Sequence, residues 1–290
     1  MEKNKTAAAA LCGWPSETDF VRDGFTGLQG FLDKSELTEI ESFLESALSS
    51  SRGLACTRPH NTLVPLRWND PIIRLLLTSG RRMQALTDTL RGDDLRWISG
   101  YVSIKEAHSR PLWWHQDWWC WDHAVSYRRM APQIAVLCYL TDTNVDNGAL
   151  RVLPGSHLKS VPIHALLPEA HSHSSDGLEP GHIAMADLPE QVTLCMKAGD
   201  VAVIDYRLLH GTHGNCSDIR RDGILLSFTP SWKGLPDDVK AHLVSHPAQP
   251  WGNEMSSPSS QLGKLLPSFG GERQDLPLNR NAPSNFELVD

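Results

Sequence analysis

The sequence predicts a mainly β protein with flanking helices, built on a jelly-roll core. Three observations carry that expectation. From Leu95 onward the chain breaks into short strand-like runs, and compact turn signals separate them, among them Asp146-Asn147-Gly148, Leu153-Pro154-Gly155-Ser156 and Ala198-Gly199-Asp200. Clear helical periodicity is confined to the residues before those runs. Many short strands joined by tight turns suit a sandwich or barrel.

Taken in order, Asp33-Lys34-Ser35-Glu36 opens a segment with Leu37, Ile40, Phe43, Leu44, Ala47 and Leu48 at helical spacing, which predicts a helix over 34–50. A second helix is expected from Pro71 to Leu90, burying Ile72, Ile73, Leu76 and Leu77, then Met83 and Leu86. Strands are expected at 97–104, 112–119, 133–140, 149–153, 191–196, 201–205 and 224–230. The stretch from His157 to Pro189 is rich in His, Pro, Ser and Gly without a period, and reads as a long excursion over the barrel mouth, where lids lie. From about 248 the tail has little apolar patterning and should wrap the surface or stay partly unstructured. The whole chain, 1–290, reads as a single domain with a core over about 95–232, helical support over 15–94 and a tail over 248–290.

Forty per cent apolar and 21% charged residues are ordinary for a globular chain of 290 residues, which can bury a sizeable core. A net charge of −7 argues against nucleic acid or an anionic membrane as partner and favours a small molecule. The six cysteines are scattered, with no C-x-x-C pair, so neither a disulfide scaffold nor a thiolate zinc site is expected. The start, Met1 to Ala10, is too weakly apolar for a signal peptide, and no run is long enough to span a bilayer; the expectation is a reduced, cytoplasmic protein.

The chemistry concentrates in Trp113-Trp114-His115-Gln116-Asp117-Trp118-Trp119. On a strand, residues two apart share a face, so His115 and Asp117 present an imidazole and a carboxylate side by side. His210, just after the apolar run Val201 to Ile204, completes a 2-His-1-carboxylate set of the kind used by non-haem Fe(II) oxygenases. Arg221 follows His210 by eleven residues and offers a guanidinium for a co-substrate carboxylate. A lone His-x-Asp tripeptide carries no weight, since about one arises by chance in a chain of this composition. Five of the ten tryptophans lie between 113 and 121; on a regular strand Trp113, Trp119 and Trp121 share the face of the two ligands, and Trp114 and Trp118 point away. Flat aromatic walls suit an aromatic, polycyclic or cationic substrate.

With His115-Gln116-Asp117, the run from Asn147 through Gly148, Pro154 and Gly155 to His157, Ala198-Gly199-Asp200, His210-Gly211-Thr212, and Asn215 followed by Arg221, residues 95–230 resemble the phytanoyl-CoA dioxygenase family of Fe(II)/2-oxoglutarate oxygenases. The resemblance implies a double-stranded β-helix (cupin-like jelly roll), iron on His115, Asp117 and His210, and 2-oxoglutarate on Arg221 with Thr212 beside it. Tyr101 and Lys105 fall where relatives contact co-substrate or substrate. Leu137 replaces an aromatic neighbour of the co-substrate. Trp121 matches a substrate-contacting tryptophan of ectoine hydroxylases, and Trp119 is its companion in the expected pocket.

The implied reaction consumes O2 and 2-oxoglutarate, releases succinate and CO2, and hydroxylates an unactivated C–H bond of a small organic molecule in secondary metabolism. Retention of Asp117 argues against a halogenase, in which a small residue opens that position. The same cofactors also support desaturation, epoxidation or ring rearrangement. Two readings from other classes are a non-catalytic jelly-roll binding module, against which the intact His115, Asp117, His210 and Arg221 argue, and a zinc hydrolase or cupin isomerase, which has no use for a co-substrate clamp such as Arg221. His157, His164, His171, His173 and His182 are irregularly spaced and are expected to lie on a solvated loop rather than to form a second metal site. His213 is expected to be a polar neighbour and Gln116 to pack or orient.

Overall fold

A computed structural model describes residues 18–50, 55–58, 60–179, 181–250 and 260–288. The start of the chain read for a signal peptide, 1–10, lies outside the described residues. The strands are β1 (Phe25–Leu28), β2 (Cys56–Thr57), β3 (Thr62–Leu66), β4 (Arg96–Lys105), β5 (Leu112–His115), β6 (Ile134–Tyr139), β7 (Leu150–Val152), β8 (Val192–Leu194), β9 (Val201–Asp205), β10 (His210–Thr212) and β11 (Arg221–Thr229). The helices are α1 (Phe20–Asp23), α2 (Lys34–Ser50), α3 (Pro71–Thr78), α4 (Gly80–Leu90), α5 (His173–Asp176) and α6 (Asp237–Leu243). Among the described residues, no helix is long and apolar enough to cross a membrane.

The strands form two antiparallel sheets, one of seven strands in the order β1-β9-β6-β11-β4-β3-β2 and one of four in the order β5-β10-β7-β8. Strand alternation sorts the seven-stranded sheet into two faces. Ile224, Leu226 and Phe228 of β11 pack with Ile134, Val136, Val201 and Val203 against the helices, where Ile40, Ile72, Ile73, Leu76 and Leu86 are fully buried. Burying each such side chain stabilises the fold by about 1.5–3 kcal/mol. The opposite face carries Ala135, Tyr139, Ala202 and Ile204 against Leu150, Val152 and Leu194 of the smaller sheet. This is the expected jelly-roll core, with the site between the sheets.

Several boundaries differ from expectation for identifiable reasons. The helix expected from Pro71 to Leu90 is two helices, because Ser79 is extended and its Oγ accepts from Arg82 N–H at 3.4 Å, capping α4. β1, β2 and β3 join the sheet from the region expected to be only helical. β3 tolerates Pro65 because β2 pairs only with Thr62 and Leu63, so no ladder partner is lost on that side. α6 was likewise not expected. β5 ends at His115, short of the expected 119, because Trp118 N–H turns to Tyr206 O (2.9 Å) and Trp119 O accepts from Asn279 N–H (2.8 Å). Cys195 is disulfide-bonded, contrary to the expectation of a fully reduced chain, whereas Cys56, Cys120, Cys138 and Cys216 are free thiols.

The segment from 157 to 189 is not the solvated loop expected from its histidines. His157 is buried with Nε2 on Val21 O (3.1 Å), and His164 is buried against Phe286 with ring centres 5.3 Å apart. His173 is exposed, and His182 Nδ1 accepts from Ala184 N–H. The described tail is a strap: Phe286 is buried against Trp121, Trp232 Nε1–H donates to Ser268 O (2.9 Å), and Leu288 N–H donates to Leu158 O (2.7 Å).

The end of β9 is held by a buried ion pair. Arg207 donates from Nε and Nη2 to Asp205 (3.0 and 2.6 Å) and from Nη1 to the carbonyls of Ser126 and Arg128. Burial pushes the Asp205 carboxyl up, but the Arg207 charge outweighs it and holds it below the usual range. Asp205→Ala leaves the guanidinium buried and unpaired, and should cost about 3–5 kcal/mol in denaturant unfolding. Burial also lowers the His164 pKa to about 4, so the unfolded chain binds more protons than the folded one below pH 6.5. His164 should therefore remove about 3 kcal/mol of stability as pH falls from 6.5 to 4, and His164→Asn, which keeps an acceptor near Nδ1, should flatten that part of the stability–pH curve.

Candidate metal and co-substrate site

The site is built where β5 meets β10. His115 and His210, far apart in sequence, are direct register partners in that antiparallel pair. Each imidazole is aimed by a backbone carbonyl: His115 Nδ1–H donates to Trp113 O and His210 Nδ1–H to Leu208 O, both at 3.0 Å. A carbonyl can only accept, so the proton sits on Nδ1 and each Nε2 keeps its lone pair for a metal. Asp117, just beyond the end of β5, faces both: Oδ1 lies 3.6 Å from His115 Nε2 and Oδ2 lies 3.5 Å from His210 Nε2. Neighbouring octahedral corners with bonds of about 2.1 Å lie about 3 Å apart, so the three side chains would close by about half an ångström on an ion.

The electrostatics match a cation-binding set. Burial pushes the Asp117 carboxyl up, but His210, His115 and His171 around it outweigh burial and hold it well below the usual range. Burial and the neighbouring His115 lower His210 to about 4, so it stays neutral and able to bind metal near pH 7. Between the ligands, Gln116 turns away and its Nε2 donates to Arg207 O, which ties the ligand loop to the buried ion pair.

The same cavity is lined by Thr212, Arg221, Lys105, Leu137 and Tyr139. Arg221 faces inward and Arg220 outward, as strand parity requires; Arg220 pairs with Asp222 (3.0 Å) and Glu45 (3.2 Å). Arg221 Nη1 donates to Gly148 O (3.0 Å), and its guanidinium lies 5.5 Å from the Tyr139 ring centre. Two buried polar atoms here, Arg221 Nε and Thr212 Oγ1, have no hydrogen-bond partner. Lys105 is buried, donating to His60 O (3.1 Å) and Arg110 O (2.9 Å), and its pKa is lowered to about 7 by burial and then by Arg221 and Arg151. Gly148 has φ +88°, and a Cβ there would lie 2.3 Å from Lys105 Cδ, so the turn needs glycine on both counts.

A second, outer pocket opens on the other side of Asp117, lined by Tyr101, Trp119, Tyr206, His242, His246 and Arg280. Tyr101, expected to bind co-substrate, is placed here and not beside Arg221; its hydroxyl lies 3.4 Å from His246 Nε2. Trp119 does face the pocket, tilted against His242 at 4.3 Å, with Nε1–H donating to Gln133 (2.9 Å). Trp121 does not. It is fully buried, 4.8 Å from Phe286, because the strand parity that assigned it to the pocket stops with β5 at His115. Trp113 also packs away from the pocket, edge-on to His60 at 4.2 Å. Trp114 and Trp118 are core, and His213 is a polar neighbour bonded to Thr193 (2.9 Å).

Sequence reasoning missed His171, Tyr139, Arg280 and His242. Tyr139 lies two residues after Leu137 on the same strand face, a signal that was present. His171 and Arg280 sit in aperiodic segments, where spacing carries no orientation, and His242 sits on α6, which was not expected. His171 Nε2 lies 2.9 Å from Asp117 Oδ1, and His115, Asp117 and His171 each offer a ligand atom within 4.8 Å of the others.

Comparison with known proteins agrees with this geometry. The chain is 26% identical over 233 residues to the ectoine dioxygenase of Bordetella bronchiseptica, covering 72% of each chain. It is 23% identical over 232 residues to a probable alpha-ketoglutarate-dependent hypophosphite dioxygenase of Stutzerimonas stutzeri, covering 73% of this chain and 77% of that one. In fold it is similar to HygX from Streptomyces hygroscopicus, solved with nickel, 2-oxoglutarate and hygromycin B bound, with a TM-score of 0.55 at 18% identity over 73% of this chain and 84% of that one. The family model described as phytanoyl-CoA dioxygenase (PhyH) matches residues 20–223, more than half of the sequence. The chain belongs to the phytanoyl-CoA dioxygenase family of Fe(II)/2-oxoglutarate-dependent oxygenases.

Proposed function

We propose that His115, Asp117 and His210 hold Fe(II), that Arg221 and Thr212 hold the distal carboxylate of 2-oxoglutarate, and that the enzyme hydroxylates a C–H bond of a small organic molecule seated in the outer pocket. The observation that carries this is the convergence, in one cavity, of two imidazole Nε2 lone pairs, a carboxylate and two orphaned buried polar atoms, Arg221 Nε and Thr212 Oγ1. Three protein ligands on one face leave three positions for a bidentate co-substrate and O2. Iron and 2-oxoglutarate, when bound, supply oxidative decarboxylation to succinate and CO2 coupled to oxygen transfer.

The protein's own residues set up that chemistry. Arg221 is a buried cation without an ion-paired carboxylate among the described residues, and Lys105, with its pKa lowered to about 7, gains its proton as a negative group enters, so the cavity favours a dianion. Arg221 offers a planar fork to a carboxylate, and Thr212 a hydroxyl beside it. Lys105, bound to two carbonyls, adds positive field at that end. Leu137, Leu150 and Ile204 exclude water from the cavity between the sheets. In the outer pocket Trp119 and Tyr101 give flat walls. Arg280, which reaches Asp117 O at 3.4 Å and has no ion-pair partner among the described residues, suits an acidic group on the substrate.

The test is succinate release from 2-oxoglutarate by Fe(II)-loaded protein in air. Asp117→Ala should lower it at least about a hundredfold by removing a ligand, and Arg221→Ala should raise the KM for 2-oxoglutarate by about tenfold or more with a smaller change in kcat. Succinate release indifferent to both substitutions would overturn the assignment.

A further inference from the structure

Among the described residues His171 is one of three non-glycine residues with a positive φ, +58°, a conformation that costs about 1 kcal/mol or more and persists only where surrounding contacts over-determine it. Here both ring nitrogens are engaged. Nε2 lies 2.9 Å from Asp117 Oδ1, and Nδ1 lies 2.8 Å from Arg58 Nη1. Arg58 stands just ahead of β3, with its backbone N–H on Asn61 O (2.9 Å) and Nε 3.9 Å from Asp176 of α5. The 157–189 segment is thus fastened on both sides of His171.

The Arg58 contact fixes the tautomer. A guanidinium only donates, so His171 Nδ1 must be the acceptor and the ring proton must lie on Nε2. That proton points at Asp117 Oδ1. A protonated nitrogen has no lone pair for a metal, so His171 is not a ligand despite lying within ligand range. It occupies Oδ1, which also faces His115 Nε2 at 3.6 Å, and leaves Oδ2 unbonded, 3.5 Å from His210 Nε2. Outer partners of this kind orient metal-binding carboxylates.

We propose that Arg58 and His171 are positioning residues which, through an Arg58–His171–Asp117 hydrogen-bond relay, hold the Asp117 carboxylate as a one-oxygen ligand and make metal affinity depend on the 157–189 segment being in place. This rests on the iron assignment above. Neither residue transfers a proton or touches the reacting carbon; both act through Asp117.

The test titrates the metal-free full chain with Co(II) and follows its visible d–d absorption, with thermal melts confirming that each variant is folded. Asp117→Ala should lose Co(II) binding; if it binds like the parent, the iron assignment itself fails. His171→Ala should weaken Co(II) about ten- to a hundredfold and shift the d–d bands. His171→Gln should stay within about threefold, because its amide N–H can donate in place of Nε2–H. Arg58→Ala should weaken binding in the same direction, and the Arg58→Ala/His171→Ala pair should lose little more than His171→Ala alone, since the two act in series. Parent-like titration of both His171→Ala and Arg58→Ala overturns the relay. Loss in His171→Gln equal to that in His171→Ala also overturns it, by making His171 a ligand in its own right. If His171→Ala does not fold, His171→Gln and Arg58→Ala still decide the outcome.

Discussion

The antiparallel pairing of β5 with β10 is the constraint on which the site depends. It makes His115 and His210 neighbours across a ladder, so two imidazoles separated by nearly a hundred residues of chain meet without either loop having to find the other. The approach is tight: a Cβ on Gly211 would lie 2.7 Å from Leu112 O and 2.9 Å from Trp113 O. Glycine between His210 and Thr212 is therefore a packing requirement of the same ladder. Register shifts immediately afterwards, which frees Thr212 to face the cavity.

Rigidity around that ladder comes from carbonyls and one buried ion pair more than from charge pairing at the ligands. The two Nδ1–H donors fix ring orientation, Gln116 is pinned to Arg207 O, and Arg207 is itself locked to Asp205 and two further carbonyls. Preorganisation of this sort matters because a metal bound by flexible ligands must also order them. The cavity beyond is the reverse case. Arg221 and Lys105 are buried there against carbonyls and the Tyr139 ring, with no ion-paired carboxylate among the described residues, an arrangement that an entering anion makes favourable.

Strand parity was the most informative property of the sequence. It separated Arg221 from Arg220, because the start of β11 is regular where they lie. It misled at Trp121 because tertiary hydrogen bonds to Tyr206 and Asn279 end β5 four residues early, and no local residue announces that. The helix over 34–50 was recovered since Asp33 caps it and its apolar stripe is continuous. The three N-terminal strands were not, being short and dependent on partners that come later in the chain. His171 and Arg280 contribute through long-range contacts from aperiodic segments, where the sequence holds chemistry but no direction.

The strap from 260 to 288 has a consequence for how the molecule is assembled. It lies across Trp121, touches the 157–189 segment through Phe286 and Leu288, and lends Arg280 to the outer pocket. Those contacts join residues about 130 to 165 positions apart, long-range pairings that form late. During synthesis the β5–β10 ladder can form once β10 has emerged, whereas the outer pocket must wait for the strap. A nascent chain at that stage would display Trp121 and the covered side of the 157–189 segment to solvent, an aromatic surface hidden once residues 260–288 are in place.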